Sequence, residues 1–237
     1  MHPGMNAHAF TLSGARLRAC ASGALHWPER GLVVVSDLHL GRAERMARRG
    51  GPLLPPYETD DTLARLAADL AALRPAHVIA LGDSFDDRRA AEGLSEPQRA
   101  RLAALLDGRV WDWVEGNHDP GPLALPGTHR AEVRLGPLTF RHIARPDATA
   151  EVSGHYHPKA RLALGAARVA RACFLIDGAR VILPAYGTYT GGLATEAEAL
   201  AGLMAPDAIA VLTGTRAHAI PMPRRAARRP PTRRISP

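Results

Sequence analysis

Cysteine is nearly absent from this 237-residue sequence: only Cys20 and Cys173 occur. That excludes a disulfide scaffold and a cysteine-based zinc module, and makes a reduced, cytoplasmic setting the simplest expectation. Aromatic residues make up 5% of the chain, too few to suggest an extended base-stacking platform. No window of about 18 uncharged apolar residues occurs, so no membrane-spanning helix is expected. The start, MHPGMNAHAF, has neither a basic n-region nor an apolar h-region, so no secretory leader is expected either. What is present is ordinary for a globular chain, 46% hydrophobic and 22% charged. The length fits one domain that buries roughly 70–75% of its unfolded surface.

Lysine is the next scarcity. Lys159 stands alone, and every other basic side chain is arginine. The formal net charge is +7, from 30 basic and 23 acidic residues. Six of those 30, Arg224, Arg225, Arg228, Arg229, Arg233 and Arg234, lie in residues 223–237 with no acid among them. Without them 24 basic residues face 23 acidic ones, so residues 1–222 carry about +1. We therefore expect one domain over 1–222 and a disordered arginine- and proline-rich tail over 223–237. Such a tail is either a phosphate-binding arm or simply solvated chain.

Three apolar runs set the expected architecture: Leu32–Val35, Val78–Leu81 and Val110–Val114. Between the first two, Leu63, Leu66, Leu70 and Leu73 recur at helical spacing, with Thr59 or Asp60 as cap and Pro75 beyond the end. Between the second and third, Ser95 and Gln98 form a capping-box pattern. After residue 130 the pattern changes to short β-like pieces at 131–135, 138–143, 172–176 and 180–183, the last two joined by Asp177-Gly178, a hairpin signal. A late helix is expected over 195–204, boxed by Thr195 and Glu198. The whole reads as an α/β sandwich with a second sheet packed on the first.

Each apolar run is followed by residues suited to metal binding: Asp37 and His39; Asp83 and Asp86; Asn117, His118 and Asp119. Loops at the carboxyl ends of separate strands converge in open α/β sheets. His142 and the run Gly154-His155-Tyr156-His157-Pro158 follow. Imidazole with carboxylate and no thiolate suits Mn²⁺, Fe or Zn²⁺. Two such ions a few ångströms apart clamp a phosphoryl group.

The ordered blocks D-x-H, GD-x-x-D, GNHD, a lone histidine and GH-x-H resemble the calcineurin-like binuclear metallophosphoesterases. The stretches LHWPERGLVVVSDLHLGRAERMARRG, LPPYET, GHYHP and LPAYGTYTGG are similar to the bacterial ligase-associated DNA damage response phosphodiesterases, over roughly residues 25–192. The resemblance implies a four-layer α/β/β/α sandwich and two divalent ions, Mn²⁺ foremost. It implies Asp37, His39, Asp83 and His157 on the first ion, and Asp83, Asn117, His142 and His155 on the second. His118 then assists the leaving group, oriented by Asp86, while a hydroxide shared by the ions attacks a phosphodiester in line. DNA is the implied substrate, and an ATP-dependent DNA ligase and a helicase are the implied partners. Arg42, where such proteins commonly carry lysine, and Tyr156 are expected at the substrate. Asp119 is expected behind the ligands, and Asp87 in solvent. Arg42, Arg45, Arg48 and Arg49 form a basic cluster, read as a solvated helix face or a guide for phosphate. Two alternatives stand beside this reading: a hydrolase of small nucleotides or pyrophosphates, and a weakly active scaffold in a repair complex.

Overall fold

The computed structural model describes residues 6–119, 125–165 and 167–224. It is a mixed α/β arrangement of two sheets with few helices. The first sheet has seven strands in sequential order. These are β1 (Ala7–Leu12), β2 (Ala15–Cys20), β3 (Leu25–Trp27), β4 (Leu32–Val35), β5 (His77–Leu81), β6 (Val110–Val114) and β7 (Thr128–Arg130). β1 to β4 pair antiparallel, and β4 to β7 parallel.

The parallel strands explain the apolar runs. Successive side chains of a strand point to opposite faces. Leu32, Val34, Ile79 and Leu81 accordingly enter the core between the sheets, while Val33, Val35, Val78 and Ala80 face the helices. Those helices are α2 (Glu58–Leu73), which contributes Leu63, Leu66 and Leu70, and α4 (Glu96–Leu106), which contributes Leu102, Leu105 and Leu106. Trp111 and Trp113 also lie on the helix side. The opposite face of β6 carries Asp112, neutralised by His77 at 2.8 Å and Arg130 at 3.0 Å.

In the second sheet, β8 (Glu132–Leu135), β9 (Leu138–Arg141), β10 (Glu151–Ser153), β13 (Arg180–Ile182), β12 (Ala167–Ile176), β14 (Ile209–Leu212) and β15 (His218–Pro221) lie side by side, with β11 (Lys159–Leu164) paired to β12. Val133, Phe140, Val152, Phe174 and Val181 meet the first sheet. Cys173, Leu175 and Ile182 face outward against α5 (Glu198–Leu203) through Leu200. At about 25 cal/mol per Å² these interfaces supply most of the folding drive.

Several local expectations need correction. The Ser95–Gln98 box is made in both directions, at 3.4 and 3.0 Å. Helix α2, however, starts at Glu58 with no side-chain cap. Thr59 and Glu58 instead accept from the amides of Gly41 and Ala43, at 2.8 and 2.9 Å, and so cap α1 (Arg42–Arg48). A side chain that caps a neighbouring helix cannot cap its own. Helix α5 is shorter than expected and lacks a box; Thr195 bonds Glu196 instead. The Asp177-Gly178 hairpin forms, with Asp177 accepting from the amides of Ala179 and Arg180 at 2.8 Å each. Of the expected tail, only Pro223 and Arg224 are described; the rest lies outside the described residues. The Arg224 guanidinium donates to the carbonyls of Met204 and Ala205, just past the carboxyl end of α5.

Candidate metal centre

Strands β4, β5 and β6 run parallel, as do β9, β10 and β13, so their carboxyl-terminal loops emerge along one edge. The loops after β4 and β5 stay side by side: Asp37 N donates to Gly82 O at 3.2 Å, His39 N to Asp83 O at 2.9 Å, and Asp86 N to Leu40 O at 3.1 Å. The segment after β13 ties the second sheet to the first, with Tyr186 N on Ser36 O and Gly187 N on Asp37 O.

Backbone strain concentrates here. Nine described non-glycine residues have positive φ, and five of them are Asp37, His39, Asp83, His155 and His157. A left-handed conformation is unfavourable for such side chains and persists only where the surroundings enforce it. Two glycines permit the required closeness: a Cβ on Gly116 would run into Asp83, and one on Gly154 into Ser36 and Asp37.

Two constellations result. Asp37, His39 and His157 bring ligand atoms within 4.8 Å of one another, as do Asp83, His142 and His155. His157 Nε2 lies 3.1 Å from Asp37 Oδ1. In the second set His142 Nε2 is 3.4 Å from Asp83 Oδ2, 3.2 Å from His155 Nδ1 and 3.0 Å from Asn117 Oδ1. Asp83 lies between the sets, since the same Oδ2 is 4.0 Å from His39 Nε2. All seven residues expected as ligands therefore gather at one place.

The chemistry of these atoms tests whether metal fits. Asp37 Oδ1, His39 Nε2 and His157 Nε2 are buried and make no aligned hydrogen bond, Asp37 Oδ1 and His157 Nε2 facing each other at 3.1 Å. A buried polar atom without a well-formed hydrogen bond is costly, and three converging on one point offer a cation their lone pairs. Divalent cations fit a set of carboxylate oxygens and imidazole nitrogens. The surrounding donors already orient the ligands: His155 N and Ser36 Oγ bond Asp37 Oδ2, and His118 N bonds Asp83 Oδ1 at 2.8 Å. Burial pushes Asp83 upward, yet the hydrogen bond and charge of His142 outweigh it and hold the carboxyl at about 2. Burial likewise opposes protonation of His142, but Asp83 and Asp37 raise it to about 9. In Asp119, burial together with the Asp83 charge raises the carboxyl to about 6; the Ser84 and Phe85 amides hold its Oδ2 at 2.8 and 3.2 Å.

Asp86 occupies a different position from the one expected. Its fully buried carboxylate receives His39 Nδ1 at 2.8 Å, Arg42 at 2.9 Å and Arg45 at 2.7 Å. Burial raises its pKa, but His39 and the two guanidiniums outweigh burial and lower it overall. His118 is instead held through the Asp86 main chain, its Nδ1 lying 2.9 Å from the carbonyl oxygen. The Asp86 side chain thus aims His39 Nε2 at the first constellation, while its backbone holds His118 with Nε2 4.0 Å from Asp83 Oδ2. A third group, His39, Asp86 and His118, also falls within 4.8 Å, but its carboxylate is already satisfied by three donors.

Arg42, expected at the substrate, is committed to Asp86, as is Arg45, a contact the sequence pattern did not suggest. Arg48 pairs with Glu44 and Asp87. Asp87, expected in solvent, caps α3 (Arg88–Glu92) by accepting from Ala90 N at 2.9 Å. The Tyr156 ring packs edge-on against His155 at 5.1 Å and joins the outer cluster around α5. Ser36, a contributor that sequence reasoning missed, carried no signal beyond its place beside Asp37.

The fold and site define a mixed α/β protein whose parallel-strand ends present two histidine–carboxylate groups able to bind metal ions. Neither a family model nor a curated protein sequence matches the chain. Among solved structures it is similar to the crystal structure of Pseudomonas putida nuclease MPE, with 28% identity and a TM-score of 0.68, over 87% of this chain and 96% of that one.

Proposed function

We propose that this protein is a metal-dependent phosphodiesterase of the calcineurin-like kind that cleaves DNA in a damage response. The observation that carries the reading is the pair of constellations on either side of Asp83, with Asp37 Oδ1, His39 Nε2 and His157 Nε2 buried without an aligned hydrogen bond. The likeness to a nuclease at 28% identity supports a hydrolase acting on phosphodiester bonds. The paired sheets, with helices on the outer face of each, support the four-layer sandwich.

Asp37, His39, Asp83 and His157 would hold one divalent ion, and Asp83, Asn117, His142 and His155 the other, with Mn²⁺ the preferred metal. Two such ions supply Lewis acidity toward phosphoryl oxygens and acidify water. The remaining chemistry belongs to the chain. With Nδ1–H donated to the Asp86 carbonyl, His118 presents Nε2 to the cleft, 4.0 Å from Asp83 Oδ2. Protonated there, it gives its proton to the departing alkoxide. The Asp86 side chain fixes the tautomer and angle of His39. No helix among the described residues is long and apolar enough to cross a membrane.

Hydrolysis of bis(p-nitrophenyl) phosphate tests the reading. Activity should vanish on chelation and return with Mn²⁺; His118→Ala should lower kcat roughly 10²-fold or more on an oligodeoxynucleotide, whose leaving group is an alkoxide, and much less on the nitrophenyl ester, whose leaving group needs no proton. Full activity after chelation would refute it.

A further inference from the structure

Strand β12 is ten residues long, yet its two halves have different neighbours. Residues 173–176 pair with β14, and 175–176 also with β13. Residues 167–172 pair with β11, from Lys159↔Ala172 to Leu164↔Ala167. Because β12 runs antiparallel to β13, its first half extends past the carboxyl end of β13, the edge that carries the metal-binding loops. Strand β11 begins two residues after His157. A two-stranded ribbon of six residues per strand, roughly 20 Å long at about 3.3 Å per residue, therefore projects from the edge of the site.

The charge of the ribbon sets it apart. Over 159–172 the sequence reads KARLALGAARVARA: four basic residues and no acid, in a domain of about +1. Residues directly opposite in an antiparallel pair share a face. The pairs Lys159↔Ala172, Arg161↔Ala170 and Ala163↔Arg168 therefore place Lys159, Arg161 and Arg168 on one face. The other face is anchored, with Ala160 buried in the cluster around α5 and Leu162 packed against it. Arg161, Arg168 and Arg171 are exposed, and among the described residues none of the four basic side chains has an ion-pair partner. Lys159 is tied to the Thr190 carbonyl at 2.9 Å. Glu196 is the one acid lining the hollow of about 600 Å³ beside Arg161 and Arg168.

We infer that this ribbon is a phosphate-backbone rail that holds a polynucleotide beside the metal centre. The inference rests on the phosphodiesterase reading and adds the size of the substrate. Small alternating residues keep the rail narrow, and arginines at intervals meet successive phosphates without reading bases. A mononucleotide at the metal centre would not reach Arg168, six residues along the strands from the metal-binding loop. A polynucleotide running out of the cleft would.

The test uses the full-length protein with Mn²⁺ and two substrates, bis(p-nitrophenyl) phosphate and a single-stranded oligodeoxynucleotide. In Arg161→Ala/Arg168→Ala, KM for the oligonucleotide should rise roughly tenfold at low salt. The slope of log kcat/KM against log salt should flatten by roughly 1.4, two contacts at about 0.7 each. Turnover of the small diester should stay within twofold, and Arg161→Lys/Arg168→Lys should keep the wild-type salt slope. Thermal unfolding of each variant verifies folding; both arginines are exposed. An unchanged oligonucleotide KM and salt slope in the alanine variant would overturn the rail. So would a wild-type protein that hydrolyses the small diester but not the oligonucleotide. A wild-type protein inert on both substrates would overturn the phosphodiesterase reading itself.

Discussion

Strand β10 has a buried polar cluster at each end, and the two are built differently. At its start, Glu151 is fully buried, and both carboxylate oxygens are occupied. Oε1 takes Arg141 at 3.1 Å and the Arg145 amide at 3.0 Å, and Oε2 takes Arg180 at 3.3 Å. Arg180 also donates to the carbonyls of Arg145, Pro146 and Ala148. Past its other end, His155 and His157 meet Asp37 and Asp83, where ligand atoms are buried without partners and φ is positive. In the first cluster the carboxylate is satisfied on both oxygens and its charge is met by guanidinium, although Nε of Arg141 and of Arg180 is buried without a partner. In the second, oxygen and nitrogen atoms that could hold a metal ion converge on one point. Buried charge alone does not mark a functional site; several ligand-type atoms converging on one point without aligned hydrogen bonds do.

The comparison breaks most sharply at Asp83. Asp83→Asn removes the carboxylate that lies between the two constellations and is proposed as a ligand in both, so diester hydrolysis should fall at least about 10³-fold. The metal-induced rise in Tm should also shrink; a wild-type site at 100 times its Kd gains about 2.7 kcal/mol. If Asp83→Asn kept the full metal-induced shift in a thermal scan, the second cluster would be no more a metal site than the first.

Glu151→Gln probes the complete cluster. It leaves the buried Arg180 without its carboxylate, while Arg141 keeps Glu132 at 3.0 Å, and should cost about 3 kcal/mol in denaturant unfolding. The metal-induced increment in Tm should be unchanged. A stable variant with weakened metal binding would invert the roles of the two ends of β10.

Much of this contrast was legible in the sequence, though not evenly. Local signals pointed to the candidate site: polar residues after three apolar runs, then His142 and the GHYHP block, include all seven residues that gather there. They could do so because each lies at a strand end, where the period of the pattern changes. The Glu151 cluster was silent, since Arg141, Glu151 and Arg180 come from three strands and meet only through the register of β9, β10 and β13. The same limit explains Asp86. Its spacing predicts a place near His118, but only the fold shows that its carboxylate turns to His39 and its backbone to His118. Arginines of α1 and caps lent by α2 are likewise tertiary facts. Strand β1 lacks an apolar run, and the arginine–alanine texture of β2 and of the β11–β12 ribbon hid those strands.

Asp86 lies between the two designs, being a satisfied carboxylate inside the unsatisfied site. Asp86→Ala should weaken metal binding by about 10–100-fold through loss of His39 orientation, measurable by calorimetric titration. His118→Ala should leave that affinity within about twofold, because His118 is not among the proposed ligands. Equal losses in the two variants would mean that Asp86 acts on the leaving-group side after all.

The smallest effect tests the rule where it is weakest. Ser153 ends β10, between the two clusters, and its buried Oγ has no partner among the described residues. By the criterion applied to the metal site, it too is an unsatisfied polar atom. It differs in being alone and uncharged: an isolated hydroxyl cannot assemble a cation site, whereas Asp37, His39 and His157 converge. Removing a buried hydroxyl with no partner should be neutral or stabilising by about 1 kcal/mol. Ser153→Ala should therefore unfold at the same or higher denaturant concentration and bind Mn²⁺ as the wild type does. A loss of metal affinity would place Ser153 behind the ligands and extend the functional end of the strand by two residues. A loss of stability alone would mean that the hydroxyl is satisfied by water, and that convergence, rather than lack of a protein partner, is the property that separates the two ends of β10.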